Sequence, residues 1–208
     1  MDIKSLNLLT EGSVPDDADC LFIDSPSTDF SSDEKDALLT YLQGGGKLLL
    51  VTDYTDTDMP NLAELMEYYG TALMDGLVLE GDSDHHMRGY NYYLLPDISS
   101  HDITQPLVDG GYYILMPLAQ GITVSDELRD GLTVTELLTT SDSAYAKADG
   151  YNITTFEKED GDVDGPFALG VAIAEEVEGG QTGIVWLTTS YMFDSDNNMR
   201  VAGANNDL

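Results

Sequence analysis

Aspartates and serines placed just beyond short apolar runs are the residues of this chain whose types and spacing could do chemistry. Cys20-Leu21-Phe22-Ile23 and Leu48-Leu49-Leu50-Val51 are each followed by an aspartate, Asp24 or Asp53, with Ser25, Pro26 and Tyr54 beside them. In open α/β sheets ligands collect beyond the carboxyl ends of the strands. Ser25 and Asp53, with Ser141 and Ser190 at the ends of later runs and His101 in a turn, are therefore the candidate hydrogen-bonding groups of a ligand site. Such groups can hold a polar ligand but do not supply a nucleophile with its base. A glutaminase needs a nucleophilic cysteine on an elbow after a strand, with a histidine partner, whereas Cys20 opens its strand. The Gly-x-Ser-x-Gly motif of a serine hydrolase does not occur.

Two acidic stretches could hold a divalent cation. Asp160-Gly161-Asp162-Val163-Asp164-Gly165 matches the first half of an EF-hand loop, yet position twelve is Val171 where a bidentate glutamate belongs. Asp160, Asp162 and Asp164 would then bind Ca²⁺ only weakly, at the roughly 10⁻⁴ to 10⁻³ M of extracellular modules. The plainer reading is an acidic hairpin tip, and no other cofactor is expected. Asp53, Asp56 and Asp58 form the second stretch, on which an alternative function rests: a divalent-metal-dependent hydrolase. His85 and His86 are adjacent and would point apart on a strand, which makes them poor joint ligands. His101 reads first as a turn pin, through Asp102 and Thr104, and second as a binding group. Gly44-Gly45-Gly46-Lys47 is not a phosphate loop, because Tyr41 stands at its first glycine and Leu48 at its hydroxyl residue.

The elements that must position these groups begin with a β-α-β unit over residues 14–53. Its two apolar runs read as parallel strands buried on both faces. Between them Ser31 and Glu34 make a capping box, and Ala37, Leu38, Tyr41 and Leu42 recur at helical spacing until the glycines stop the helix. A second helix starts at Pro60, with Asn61 and Glu64 as its cap pair and Leu62, Leu65, Met66 and Tyr69 as its apolar face. Leu77 to Glu80 reads as a third strand, followed by further runs at 92–96, 112–116 and 137–141. Residues 153–156, 167–174 and 183–188, separated by Gly- and Asp-rich turns, suggest an antiparallel addition to the sheet.

The 208 residues suffice for one domain that buries about 70% of its unfolded surface. Thirty-nine acidic residues against eight basic ones give a net charge of -31, which argues against nucleic acid and anionic membrane surfaces as partners. The acidity reads first as a solvated surface; a salt-adapted source, or an acidic Ca²⁺-responsive scaffold, is the alternative. The single Cys20 says nothing of redox compartment. No run reaches the roughly 18 apolar residues of a membrane span. The start near Leu6 to Leu9, and an end at 203–208 without a helix to cover the last strand, suggest an excised soluble segment whose membrane anchors lie outside it.

Val14-Pro15-Asp16-Asp17-Ala18-Asp19, then Asp24-Ser25-Pro26, the capped helix, Gly45-Gly46-Lys47 and a leucine-rich strand together resemble the GldG-type family of auxiliary proteins linked to ABC transporters. Tyr69-Gly70, Asp75 to Val78, His101 to Thr104, Leu137 to Ser141, Gly165 to Leu169 and Gly203 to Leu208 continue the resemblance in the same order. Asp102, where the family commonly has proline, and the strand end Thr188 to Tyr191 depart from it. The resemblance implies a three-layer α/β sandwich with a mostly parallel central sheet, similar to class I glutamine amidotransferase and flavodoxin-like domains, with antiparallel C-terminal strands. It implies a single extracytoplasmic domain over residues 1–208, held at the cell membrane with an ABC permease and ATPase. The function expected is a non-catalytic auxiliary one, binding a partner subunit or an extracellular ligand such as a glycan.

Overall fold

The computed structural model describes residues 2–208. After one helical turn, α1 (Leu8–Glu11), the expected unit forms: β1 (Leu21–Asp24) and β2 (Lys47–Val51) pair in parallel, with α2 (Ser32–Gln43) between them. The capping box is complete, the Ser31 hydroxyl accepting from Glu34 N–H and the Glu34 carboxylate from Ser31 N–H at 2.9 Å. Gly46 leads into β2 under the Tyr41 ring, where a Cβ would come within 2.4 Å of a ring carbon. The Tyr41 hydroxyl then accepts from Lys47 N–H at 3.0 Å and donates to the Lys47 carbonyl at 3.1 Å.

Helix α3 (Pro60–Tyr68) keeps its expected apolar face but not its expected cap. Asp29, from the loop before α2, supplies it instead: its carboxylate accepts from Asn61 N–H at 2.9 Å and Leu62 N–H at 3.1 Å. The chain continues through short strands β3 (Thr71–Leu73), β4 (Leu77–Leu79), β5 (His86–Met87), β6 (Tyr90–Leu94) and β7 (Asp97–Ile98) to α4 (Gln105–Gly110). Next come β8 (Met116–Pro117), β9 (Ile122–Val124), β10 (Leu132–Thr139), β11 (Tyr145–Lys147) and β12 (Val163–Asp164). The hairpin β13 (Ala168–Val177) and β14 (Gly180–Leu187) precedes α5 (Ser195–Arg200).

The main sheet runs β1-β2-β14-β13-β10-β7, with β9 paired to β13 and β3 to β9. Only β1/β2 and β2/β14 are parallel; the other pairings are antiparallel. The expectation of a mostly parallel, flavodoxin-like or amidotransferase-like sandwich is therefore corrected to a mixed α/β fold with a mostly antiparallel central sheet. The reason lies in the connections. A parallel crossover needs a dozen or more residues, whereas β13 and β14, the longest hairpin, are joined across residues 178–179 alone. Leu77–Leu79 leaves the main sheet for a small one of order β12-β11-β4, and β5-β6-β8 makes another. Residues 153–156, expected as a strand, lie in a loop.

The main sheet is covered on both faces, and β2 shows the period of two directly. Leu48 and Leu50 join the core of α2, α3 and Trp186, while Val51 and Leu49 face the opposite core with Leu137, Leu169 and Leu187. Helix α5 and a 3-10 turn, Ala204–Asp207, follow the last strand, contrary to the helix-free end expected. Asn205 holds this end, accepting from Leu115 N–H at 2.9 Å and donating to the carbonyls of Leu115 and Met192 at 2.9 and 2.7 Å. Among the described residues no helix is long and apolar enough to cross a membrane.

Candidate functional site

Strand direction gathers four of the five candidate ligand residues at one edge. β1, β2 and β14 run parallel, and β10 shares their direction because both it and β14 are antiparallel to β13. Ser25, Asp53, Ser141 and Ser190 therefore all follow the carboxyl ends of their strands at this edge. Asp53 and Ser190 are in direct contact, the carboxylate accepting from the Ser190 N–H at 2.6 Å and its hydroxyl at 2.7 Å. Ser25 adopts the left-handed region at φ 44°, a conformation costly for a residue with a Cβ. Its N–H donates to the Val51 carbonyl at 2.9 Å and its hydroxyl to Asp24 at 3.1 Å.

Ser141 is drawn to a partner that the sequence reading did not single out. Glu80, 1% exposed, accepts from the Ser141 hydroxyl at 2.6 Å, from Ser141 N–H at 3.1 Å and from Asp82 N–H at 3.0 Å. Three donors satisfy the buried carboxylate, and Ser141 serves as its clamp. The charged residue ending the run Leu77-Val78-Leu79-Glu80 was its only sequence signal. His101 is not brought to the edge: β7 runs against β10, so the chain after Ile98 moves away from it. There His101 pins its own turn, Nδ1 accepting from Ile103 N–H at 3.2 Å and its carbonyl from Gln105 N–H at 2.7 Å.

A cleft of about 520 Å³ opens at this edge, lined by Pro26, Asp53, Asp56, Asp58, Asp75 and the face of α3. Trp186 forms part of its floor, donating from Nε1 to the Thr52 hydroxyl at 3.0 Å. Gln120, also in the floor, donates to the Met74 carbonyl at 3.1 Å. On its wall the Tyr54 hydroxyl donates to Asp56 at 3.0 Å, and the Tyr54 ring meets Tyr151 edge to face, 4.9 Å between centroids. Burial pushes the Tyr151 phenol up to about 12, helped by Tyr191 and the Asp53 charge. It stays a neutral donor through the physiological range. Nothing in residue spacing marked Tyr151, whose place depends on the loop after β11.

The carboxylates proposed for a metal do not converge. Among the described residues no three His, Cys, Asp or Glu side chains are grouped to hold a metal ion. Asp162 accepts instead from Lys147 Nζ at 3.0 Å, and the same ammonium donates to Glu159 at 2.9 Å and to the Glu157 carbonyl at 2.7 Å. Asp164 pairs with Lys158. The cation organising this loop is a lysine, legible only as a charge inside the short run Tyr145-Ala146-Lys147. His85 lies 3.2 Å from Asp82 and 3.4 Å from Asp97, while His86 contacts the Met87 carbonyl at 2.8 Å, so the pair has separate partners.

Residues 1–183 match the profile of a family described as "ABC-type uncharacterized transport system". No curated protein matches the chain. Among solved structures the mmIFT52 N-terminal domain is similar, with a TM-score of 0.61 and 14% identity over 90% of this chain and 72% of that one. At that identity the likeness concerns the fold alone.

Proposed function

Since the chain belongs to the ABC-type uncharacterized transport system family, we propose that it is a non-catalytic auxiliary domain of the GldG type. In this reading it works on the extracytoplasmic side of a membrane and binds a partner subunit or a ligand on behalf of an ABC permease and ATPase. The family match over residues 1–183 is the observation that carries it. The carboxyl-edge cleft supports a recognition role. Both oxygens of Asp53 are engaged by Ser190, and the Ser25 hydroxyl is turned to Asp24, an arrangement for holding polar groups in place rather than for generating a nucleophile.

A glycan is the second reading for the ligand, favoured by one surface. Phe156 stacks on Tyr92 with 5.3 Å between centroids, half-exposed Tyr90 lies beside them, and Asn91 donates at their edge. The exposed aromatic faces of Phe156 and Tyr90 suit the C–H faces of a sugar. Asp53, Asp56 and Asp58, on which a metal-dependent hydrolase would rest, are not grouped to hold a metal ion.

The test is affinity purification of the protein from its own cells after mild crosslinking, with co-purifying proteins identified by mass spectrometry. An ABC permease and ATPase should be recovered. Recovery of the protein alone, or on cell-wall material, would overturn the transporter reading.

A further inference from the structure

β1 closes the main sheet on one side and pairs only with β2. Its ladder with β2 is unbroken in register, and just beyond it the Ser25 N–H donates to the Val51 carbonyl at 2.9 Å. Alternate residues of a parallel strand bond to the same neighbour, so Leu21, Ile23 and Ser25 face β2, and the N–H and C=O groups of Phe22 and Asp24 point away from the sheet. Among the described residues no backbone group pairs with them. Free edges are usually blunted by proline, lysine or a bulge. β1 has none of these, and its one charge, Asp24, is its last residue. Phe22 stands in the middle, 59% exposed, on the same sheet face as Leu49, with which it pairs.

Polarity selects what can pair here. Read antiparallel about Phe22, the segment Asp19-Cys20-Leu21-Phe22-Ile23-Asp24-Ser25 is complementary to itself: Leu21 falls opposite Ile23, Cys20 opposite Asp24, Asp19 opposite Ser25, and Phe22 opposite Phe22. No acid meets an acid, which matters in a chain of net charge -31. Other registers lack this match. Centring on Ile23 sets Asp24 against Phe22, and centring on Asp24 sets two carboxylates directly opposite each other, a destabilising pair. In the Phe22 register the outward-facing residues of both strands are the ones that exchange hydrogen bonds, and the two exposed rings cover each other on one face.

We propose that β1 pairs antiparallel with β1 of a second copy, about a twofold axis at Phe22, and joins the two main sheets into one. An isologous contact of this kind closes on itself and leaves no β1 edge for a third copy. It stands independently of the transporter reading.

Sedimentation equilibrium of the intact protein in 0.1 M and 1 M KCl is the test, the screening length falling between them from about 10 to about 3 Å. A monomer–dimer equilibrium is expected, several-fold tighter at the higher salt, where repulsion between the two acidic chains is screened. Phe22→Lys removes the ring pair and sets two ammonium groups opposite each other, and should weaken the dimer by at least about tenfold. Tyr113→Lys, the same change at a residue 64% exposed after α4, should dimerise as the parent does. Disulfide trapping reads the register. In Cys20→Ser/Phe22→Cys the substituted positions form a hydrogen-bonded pair with Cα atoms about 5.5 Å apart, within the span of a disulfide, and mild oxidation should link the copies. In Cys20→Ser/Asp24→Cys they stand four residues apart, roughly 13 Å along the strand, and should not link. Monomers at both salt concentrations would overturn the proposal and leave the β1 edge to a strand of another protein. A dimer that Phe22→Lys leaves intact, or linking at position 24 as readily as at 22, would overturn it as well.

Discussion

The Asp53 carboxylate accepts both the backbone N–H and the hydroxyl of Ser190, at 2.6 and 2.7 Å, and so ties the end of β2 to the turn after β14. Hydrogen bonds to a charged group contribute about 1.5–3 kcal/mol. Asp53→Ala should therefore destabilise the protein by about 2 kcal/mol in urea denaturation, because the Ser190 N–H also loses its acceptor. Ser190→Ala, which removes only the hydroxyl, should cost about 1 kcal/mol. In the double variant the two losses should fall short of their sum, as expected for residues in contact. Strict additivity would show that the pair is not coupled.

The partnership of Asp53 and Ser190 was half legible. Each closes an apolar run, so their types and strand-end places could be read locally. Their contact spans 137 positions and depends on β14 adding to β2 in parallel, which local alternation does not specify. The β-α-β unit was readable because its cap, stripe and glycine stop all lie within one short segment. Extending its parallel direction to the whole sheet failed, since apolar runs carry no direction and the two-residue turn before Gly180 forces a hairpin. Glu80 and Lys147 escaped because each is a lone charge whose partners come from a distant or irregular segment.

Asp29 shows the same problem of distance, capping α3 from the other side of α2. Loss of such a cap costs about 1 kcal/mol, the expected effect of Asp29→Ala on global stability. Burial works against the Asp29 charge, but the donors at Asn61 and Leu62 outweigh it and hold the carboxyl below its ordinary value of 3.8. A depressed folded value means that the contribution is present above pH 3.8 and is lost as pH falls through the folded value. The stability gap between parent and variant should accordingly close in acid. A gap that persists below that range would show that Asp29 acts by packing alone.

His85 titrates in the opposite sense. Burial lowers its affinity for a proton, but Asp97, Glu80 and Asp82 raise it further, leaving the imidazole above its ordinary 6.5. The raised folded value makes this contribution complete below pH 6.5 and lost as pH rises through the folded value. NMR titration should find His85 above the histidine reference. The stability lost in His85→Gln should be larger at about pH 5.5 than at about pH 8.5, on either side of the shift. Equal losses at the two pH values would mean that the ion pairs contribute nothing.

Lys147 gives the sharpest test of the acidic loop, because its ammonium holds Asp162, one of the three carboxylates that suggested calcium. Its side chain is 3% exposed, and its three donated bonds go to the Glu157 carbonyl, Glu159 and Asp162. Burial lowers the Lys147 value and the two carboxylates raise it more, so its contribution is present below pH 10.5 and lost as pH rises through the folded value. Asp162 is held below 3.8 by the Glu159 N–H and by Lys147 against the cost of burial, so its contribution is present above pH 3.8 and lost as pH falls through the folded value. Between those limits the loop is pinned from inside. Lys147→Met keeps the apolar stem and removes the charge, and should raise amide hydrogen exchange over residues 155–162 by about tenfold relative to the rest of the chain. Ca²⁺ at about 1 mM, a concentration that would fill a weak extracellular-type site, should leave exchange in the parent protein unchanged, because Lys147 already holds Asp162 and Lys158 pairs with Asp164. Protection of this loop by Ca²⁺ in the parent would mean that the metal displaces Lys147 and that the half EF-hand pattern is a working one.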